Sequence, residues 1–231
     1  MEPDLVWLVR PGANEELRYS MRSVLANLPH GRVWVIGQPP DWCTAPTIRP
    51  RHVRVDKHKS TSLAMRVACK DPRISDPFIY LNDDFFLREP VGVLEVLDLG
   101  PLRARVDHFN ATGNASRWAI GHRETLAVLV AAGYDEPKCF EAHVPLVIHK
   151  AAMLQALDLA KGCGARTPHK RTIYATLARL ESRTVKDPKV LSADAPMPEG
   201  PWVSTSDKTF TGAVGAAIRA AFPDPSPFER E

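Results

Sequence analysis

The chain lacks the signatures of the commonest nucleotide-binding classes. It contains no G-x-G-x-x-G stretch and no G-x-x-x-x-G-K-[S/T] stretch, so dinucleotide-binding and P-loop readings have no support. Cysteine is scarce. Cys43, Cys69, Cys139 and Cys163 are the only four in 231 residues, and none pair as C-x-x-C. That spacing argues against a zinc site and is too sparse for a disulfide scaffold. Reduced thiols in a cytoplasmic protein are the expectation. No apolar run approaches the ~18 residues of a membrane-crossing helix. The start, Met-Glu-Pro-Asp, has no basic stretch followed by an apolar core, as a signal peptide would. The sequons at Asn110 and Asn114 therefore carry no weight as glycosylation sites. No charge of one sign dominates either. The net charge of +3 and pI near 8.7 do not by themselves imply nucleic acid.

What remains is an ordinary globular composition, 44% hydrophobic and 25% charged, with ample material for a core. Leu5-Val6-Trp7-Leu8-Val9 predicts a first strand, broken by Arg10-Pro11-Gly12. Asn14 is placed as an N-cap, with Glu15 and Glu16 in the first helical turn. Leu17, Met21, Val24, Leu25 and Leu28 recur at helical spacing. Val33-Trp34-Val35-Ile36 is the second strand. A strand–helix–strand unit of this kind makes its strands parallel. A short third strand is expected over residues 52–56, then a helix capped by Ser60 or Thr61, then a strand ending at Asn82.

The most informative stretch is Phe78-Ile79-Tyr80-Leu81-Asn82-Asp83-Asp84-Phe85-Phe86. It reads as a buried strand that ends in two adjacent carboxylates. The carboxyl end of such a strand is where open α/β sheets bind ligands. Carboxylates there either cap the next turn or hold a hard divalent cation, which in turn holds a diphosphate. The second half is less regular. Residues 91–97 suit a strand or a short helix, and residues 107–118 read as a Gly/Asn-rich loop. Helices are expected over 123–132, 149–159, 172–180 and 212–221, with a loop over 192–209 and a proline-fixed strap over 222–229. The whole reads as one α/β domain over residues 1–231. Residues 1–90 form a nucleotide- and metal-binding half and residues 91–231 an acceptor-side half.

Several segments, in order, resemble the Stealth family of sugar-phosphate transferases, relatives of GT-A-type glycosyltransferases. They are the run from Asn14 to Ser23 (NEELRYSMRS), Pro39-Pro40-Asp41-Trp42, the run from Phe78 to Phe86 (FIYLNDDFF), His143-Val144-Pro145 followed by Lys150, and the closing run from Pro223 to Glu229. The resemblance implies a GT-A-like, Rossmann-type, mostly parallel sheet. It implies a nucleotide-sugar donor, UDP-sugars being favoured, and Mn²⁺ or Mg²⁺ on Asp83 and Asp84. The chain also departs from the family. Arg66 stands at a position that is acidic there, and Ile173-Tyr174-Ala175 follow Arg171 where acids are usual. The opening block is reduced to Leu8-Val9-Arg10. These changes shift the expected reaction from sugar-1-phosphate transfer toward plain glycosyl transfer to an acceptor hydroxyl.

Site roles follow from this resemblance and from the residues' chemistry. Asp84, His143 and Arg171 are the expected catalytic group, with His143 a metal ligand or a general base. Asn82 is placed to orient the aspartates rather than to ligate. Arg10, Arg18, Ser62, Arg66 and Asp83 are expected at the donor. Trp118, Arg51 and Arg54 are expected at the acceptor, Trp118 by stacking. The basic run over residues 49–59 is either a charge-protected edge strand or a contact for a polyanion such as DNA. The acceptor is thus a glycan, a protein or a hydroxylated DNA base, the last in a phage setting with the host cytoplasm as location. A sugar-1-phosphate transferase, a DNA-base glycosyltransferase and a non-catalytic nucleotide-sugar-binding module stand as alternatives.

Overall fold

The computed structural model describes residues 2–50 and 57–230, and only the backbone of residues 57–59. Its centre is a five-stranded sheet of β1 (Asp4–Val9), β2 (Val33–Gly37), β3 (Thr47–Ile48), β4 (Phe78–Asn82) and β7 (Leu146–Ile148), in the order β3-β2-β1-β4-β7. β1 pairs in parallel with β2 and β4, β2 in parallel with β3, and β7 closes the edge antiparallel to β4. The protein is therefore mixed α/β with a mostly parallel sheet. β1 and β4 are buried almost end to end, as strands covered on both faces must be.

The side chains of β1 alternate between two cores. Leu5, Trp7 and Val9 face α1 (Glu15–Asn27) through Leu17, Met21 and Val24. Val6 and Leu8 face α2 (Lys57–Lys70) through Ala64, Met65 and Ala68. Each fully buried Leu, Val or Met contributes roughly 1.5–3 kcal/mol relative to exposure. Asn14 caps α1 as its sequence position requires, its Oδ1 accepting from Leu17 N at 3.0 Å.

The order of strands has a functional consequence. From β1 the chain moves to β2 and β3 on one side, then returns to β4 on the other. The direction of winding reverses between β1 and β4, and their carboxyl ends flank the crevice that such a switch point leaves open. The opposite end of the sheet is sealed. Asp4, at the start of β1, is buried and accepts from Arg32 N at 2.8 Å, Trp34 Nε1 at 2.9 Å and Ser75 N at 3.0 Å.

Beyond β4 the chain departs from several sequence expectations. β5 (Phe85–Leu87) pairs antiparallel with β9 (Trp202–Ser204), a strand inside the segment expected to be loop. β6 (Leu97–Asp98) pairs with β8 (Arg183–Thr184), while residues 91–96 form neither strand nor helix. The expected loop over residues 107–118 is largely helical. α3 (Leu102–Ala111) buries Leu102 and Val106, four residues apart, and α4 (Arg117–Ala131) begins within it on a Ser116 cap. Only the turn around Gly113, at φ +61°, breaks the two helices apart. The polar composition there reflects exposed helix faces rather than a loop.

α5 (Lys150–Gly162) and α6 (Lys170–Leu177) match expected helices to within a few residues. A 3₁₀ turn at Thr209–Thr211 leads into α7 (Ala213–Ala221). α2 starts earlier than expected, so Ser60 and Thr61 lie within it rather than capping it. The third strand expected over residues 52–56 lies outside the described residues, and β3 stands upstream of it. The tail is the strap that its prolines suggest. Glu229 receives Arg22 at 2.7 and 2.8 Å, and Arg230 N and Phe228 O bond to the segment around Trp42. All four cysteines are free, and among the described residues no helix is long and apolar enough to cross a membrane.

Candidate active site

A cavity of about 880 Å³ opens at the carboxyl ends of β1, β2 and β4. The sheet supplies Val9, Gly37 and Asn82 to it, α4 supplies Trp118, the segment before β7 supplies Glu141 and His143, and α6 supplies Lys170 and Arg171. Gly37 is required at this rim. Its φ is +138°, and a Cβ there would sit 1.9 Å from Val9 O.

Asp83 and Asp84 follow β4 into the cavity. Asp83 Oδ2 accepts from Asn14 Nδ2 at 2.6 Å, so the residue that caps α1 also steadies the first aspartate. Burial, reinforced by Asp84, pushes the Asp83 carboxyl above its usual range. Asp84 Oδ2 receives Lys189 Nζ at 2.5 Å and Ser204 Oγ at 3.1 Å. Its other oxygen, Oδ1, is buried and accepts no hydrogen bond. Glu16, on the first turn of α1, faces the same cavity, and burial together with the two aspartates pushes it up to about 8. Three acids thus crowd one end of the site, with Lys189 as the cation bonded directly to Asp84.

This donor set suits a hard divalent cation. An orphaned carboxylate oxygen next to a second carboxylate is what Mg²⁺ or Mn²⁺ takes, the remaining positions going to water and substrate phosphates. Among the described residues no group of three His, Cys, Asp or Glu converges at metal-binding geometry. His143 is therefore not gathered with the aspartates as a third ligand. Its geometry favours its other expected role. Its Nδ1 lies 2.9 Å from Asp187 Oδ2 and its backbone N–H donates to Asp187 Oδ1 at 3.0 Å. A carboxylate only accepts, so Nδ1 carries a proton, and in the neutral ring it is Nε2 that holds the lone pair. Burial favours protonation of Asp187, but hydrogen bonds from His143 hold it below the usual carboxylate range.

Trp118, at the start of α4, packs edge-on to His169 with ring centroids 4.3 Å apart and lies 5.9 Å from the His143 ring. It reaches the cavity from a helix rather than from a loop, and remains 37% exposed. His169 and His122 behind it share a 2.8 Å contact, and burial pushes both below the ordinary histidine range. Arg10 reaches the rim and pairs with Asp207 at 2.6 Å.

Three expected donor residues stand elsewhere. Arg18 lies over the Trp42 ring at 4.7 Å and 3.4 Å from Glu229, where it helps hold the tail strap. Arg66 pairs with Asp158 of α5 at 2.8 Å. Ser62 sits on α2 beside the cavity-lining Thr61 but does not line the cavity itself. Arg51 and Arg54 lie outside the described residues. Conversely, Glu16, Asp187, Lys189 and Glu141 belong to the site and carried no signal as ligands. Glu16 reads in sequence as a helix-dipole residue, and Asp187 and Lys189 act on partners far away in the chain.

No protein-family model matches the chain, and no curated protein matches it. Solved structures with weak likeness include the apo form of the glycosyltransferase GlyE of Streptococcus pneumoniae TIGR4, at 11% identity and a TM-score of 0.41. A second structure of GlyE gives 9% identity and a TM-score of 0.39. In both, the match covers 81% of this chain and 46% of GlyE, so the chain spans about half that protein's length.

Proposed function

We propose that the cavity transfers a sugar from a nucleotide-diphosphate donor to an acceptor hydroxyl. The observation that carries the reading is the Asp83–Asp84 pair, with its buried unsatisfied Oδ1, at the switch point of the sheet. The sequence blocks around Asn14 and Phe78 support it, since both contribute side chains to this end of the cavity. The whole described chain then acts as one transferase domain.

A divalent cation held by Asp83 and Asp84 would neutralise the diphosphate as it leaves. Lys189 fixes the orientation of Asp84. His143 Nε2 takes the proton of the acceptor hydroxyl, and Asp187 holds the tautomer that makes this possible. The attacking oxygen bonds to the anomeric carbon while the bond to the diphosphate oxygen breaks. Trp118 offers a partly exposed aromatic face for a sugar ring at the mouth.

Nucleotide release from UDP- and GDP-sugars with Mn²⁺ tests the reading, in wild type and in Asp84→Ala. Metal-dependent nucleoside diphosphate, reduced roughly 100-fold or more in the variant, is expected for loss of several kcal/mol of charge stabilisation. Nucleoside monophosphate would mean that the β-phosphorus is attacked instead and the reaction is sugar-1-phosphate transfer. Donor binding without release, with acceptor glycans, proteins and hydroxymethylated DNA supplied, would leave only a binding module.

A further inference from the structure

Lys170 and Arg171 stand on a different wall of the cavity from the aspartates, in the first turn of α6. Arg171 is 5% exposed, and its buried Nε has no hydrogen-bond partner. Its guanidinium lies 5.9 Å from the Tyr80 ring centroid, and the Lys170 ammonium lies 5.7 Å from the same ring. Neither cation forms an ion pair with a described carboxylate. The nearby acid is Glu141, whose Oε1 is already engaged and which pairs with neither cation. Oε1 accepts from Thr172 N and Thr172 Oγ1, both at 3.0 Å, and Oε2 lies 3.7 Å from His169 Nδ1.

The charge balance of this wall is therefore uneven. Two cations meet one carboxylate, and burial keeps His169 below the ordinary histidine range and so opposes any charge on it. The amino end of α6 adds partial positive charge to the same place. A buried guanidinium without a partner is costly unless something pairs with it. Guanidinium groups and helix amino ends share a preferred partner, the oxyanion of a phosphoryl group. Gly121 lets α4 come close enough to shape this wall, since a Cβ there would lie 2.6 Å from Thr167 O and 2.8 Å from His169 Nε2.

We infer that Lys170 and Arg171 form an oxyanion subsite that takes a phosphoryl group of the substrate. The inference rests on the transfer reading for what the substrate is, but not for the binding itself. Two sources share this chemistry: the diphosphate of the donor, or an anionic group on the sugar or the acceptor.

Calorimetric titration of the full chain with inorganic phosphate, pyrophosphate and UDP, without added metal, tests it. Wild type, Arg171→Met and Lys170→Met are compared. Phosphate or pyrophosphate should bind to wild type and weaken about tenfold or more in each variant, the loss of one charge-assisted hydrogen bond. If UDP weakens in parallel, the group is the donor diphosphate. If UDP is unchanged while phosphate weakens, the group belongs to the sugar or the acceptor. Equal phosphate and pyrophosphate affinity in all three proteins, or no binding of either to wild type, would overturn the inference.

Thermal melts guard against a folding artefact. Without phosphate the variants should melt at or above the wild-type temperature, because Arg171→Met removes an unpaired buried charge and Lys170→Met an unpaired half-buried one. Phosphate should raise the wild-type melting temperature and leave Arg171→Met unmoved. A melting temperature in both variants well below wild type, with no phosphate effect in wild type, would make the pair structural. The two readings fail separately. Phosphate binding without any nucleotide release sinks the transfer reading alone. Sugar transfer at wild-type rate and donor affinity in both variants, with phosphate affinity unchanged, sinks the subsite alone.

Discussion

The two ends of the central sheet both carry aspartates away from bulk water, and they treat them in opposite ways. At the amino end, Asp4 receives two backbone N–H groups and an indole N–H from β2 and the segment before β4. Its lone pairs are occupied and the end is closed. At the carboxyl end, Asp84 keeps one buried oxygen unbonded, Asp83 is pushed up by burial, and Glu16 crowds both. A buried polar group without a partner costs free energy, so satisfied carboxylates belong to structure. Unsatisfied ones that persist in a cavity point to something that arrives later. Asp98 extends the structural class into the second half of the chain. It is fully buried and accepts from Thr184, Ser182, Gly100 N and Lys138.

The largest way to test this contrast is to break the closed end. Asp4→Ala leaves three donors from two segments of the chain without an acceptor. A loss of about 3 kcal/mol is expected, or roughly 6–12 °C in melting temperature for a chain of this size. Nucleotide release per folded molecule should not change, because the length of β1 separates Asp4 from the cavity, about 17 Å at strand rise. A collapse in turnover with stability intact would erase the division between the two ends.

The open end should respond with the opposite sign. Asp83→Asn removes one of two neighbouring buried negative charges and keeps the side chain's shape beside Asn14. A gain of about 1 kcal/mol is expected, as is common when a functional site is made more comfortable. Nucleotide release should fall at the same time. Denaturant unfolding and the release assay, run on the same preparation, check both. A loss of stability comparable to that of Asp4→Ala would mean that Asp83 is structural after all.

How much of this was legible in the sequence follows the same division. β1, α1, β2 and β4 could be read because each is a local pattern: a buried run, a helical period, a cap. The aspartates at the end of β4 could be read because they interrupt such a run. Partnerships across the chain could not. Lys189 reaches Asp84 over 105 positions and Asp187 reaches His143 over 44, and no local pattern encodes either. The same blindness hid the partners of Arg18 and Arg66, Glu229 on the tail and Asp158 on α5. Helix α3 was hidden for a different reason. It buries only Leu102 and Val106, too narrow an apolar stripe to outweigh its Asn and Gly neighbours.

Asp98 gives the effect with the sharpest sign. Burial alone would raise its carboxyl, but hydrogen bonds from Thr184, Ser182 and Gly100 N and the Lys138 ammonium hold it down to about 2. The folded protein therefore binds this proton less tightly than the unfolded chain, whose aspartates titrate near ~3.9. Stability from this group is fully present above ~pH 4 and drains away as pH falls toward 2, by about 2 kcal/mol in all. Asp98→Asn has no proton to take up. Its deficit relative to wild type should be largest at neutral pH and narrow as both are unfolded at successively lower pH between 5 and 2. A deficit that stays constant over that range would mean that Asp98 contributes through packing and neutral hydrogen bonds alone. The closed carboxylates would then differ from the open ones in shape but not in charge.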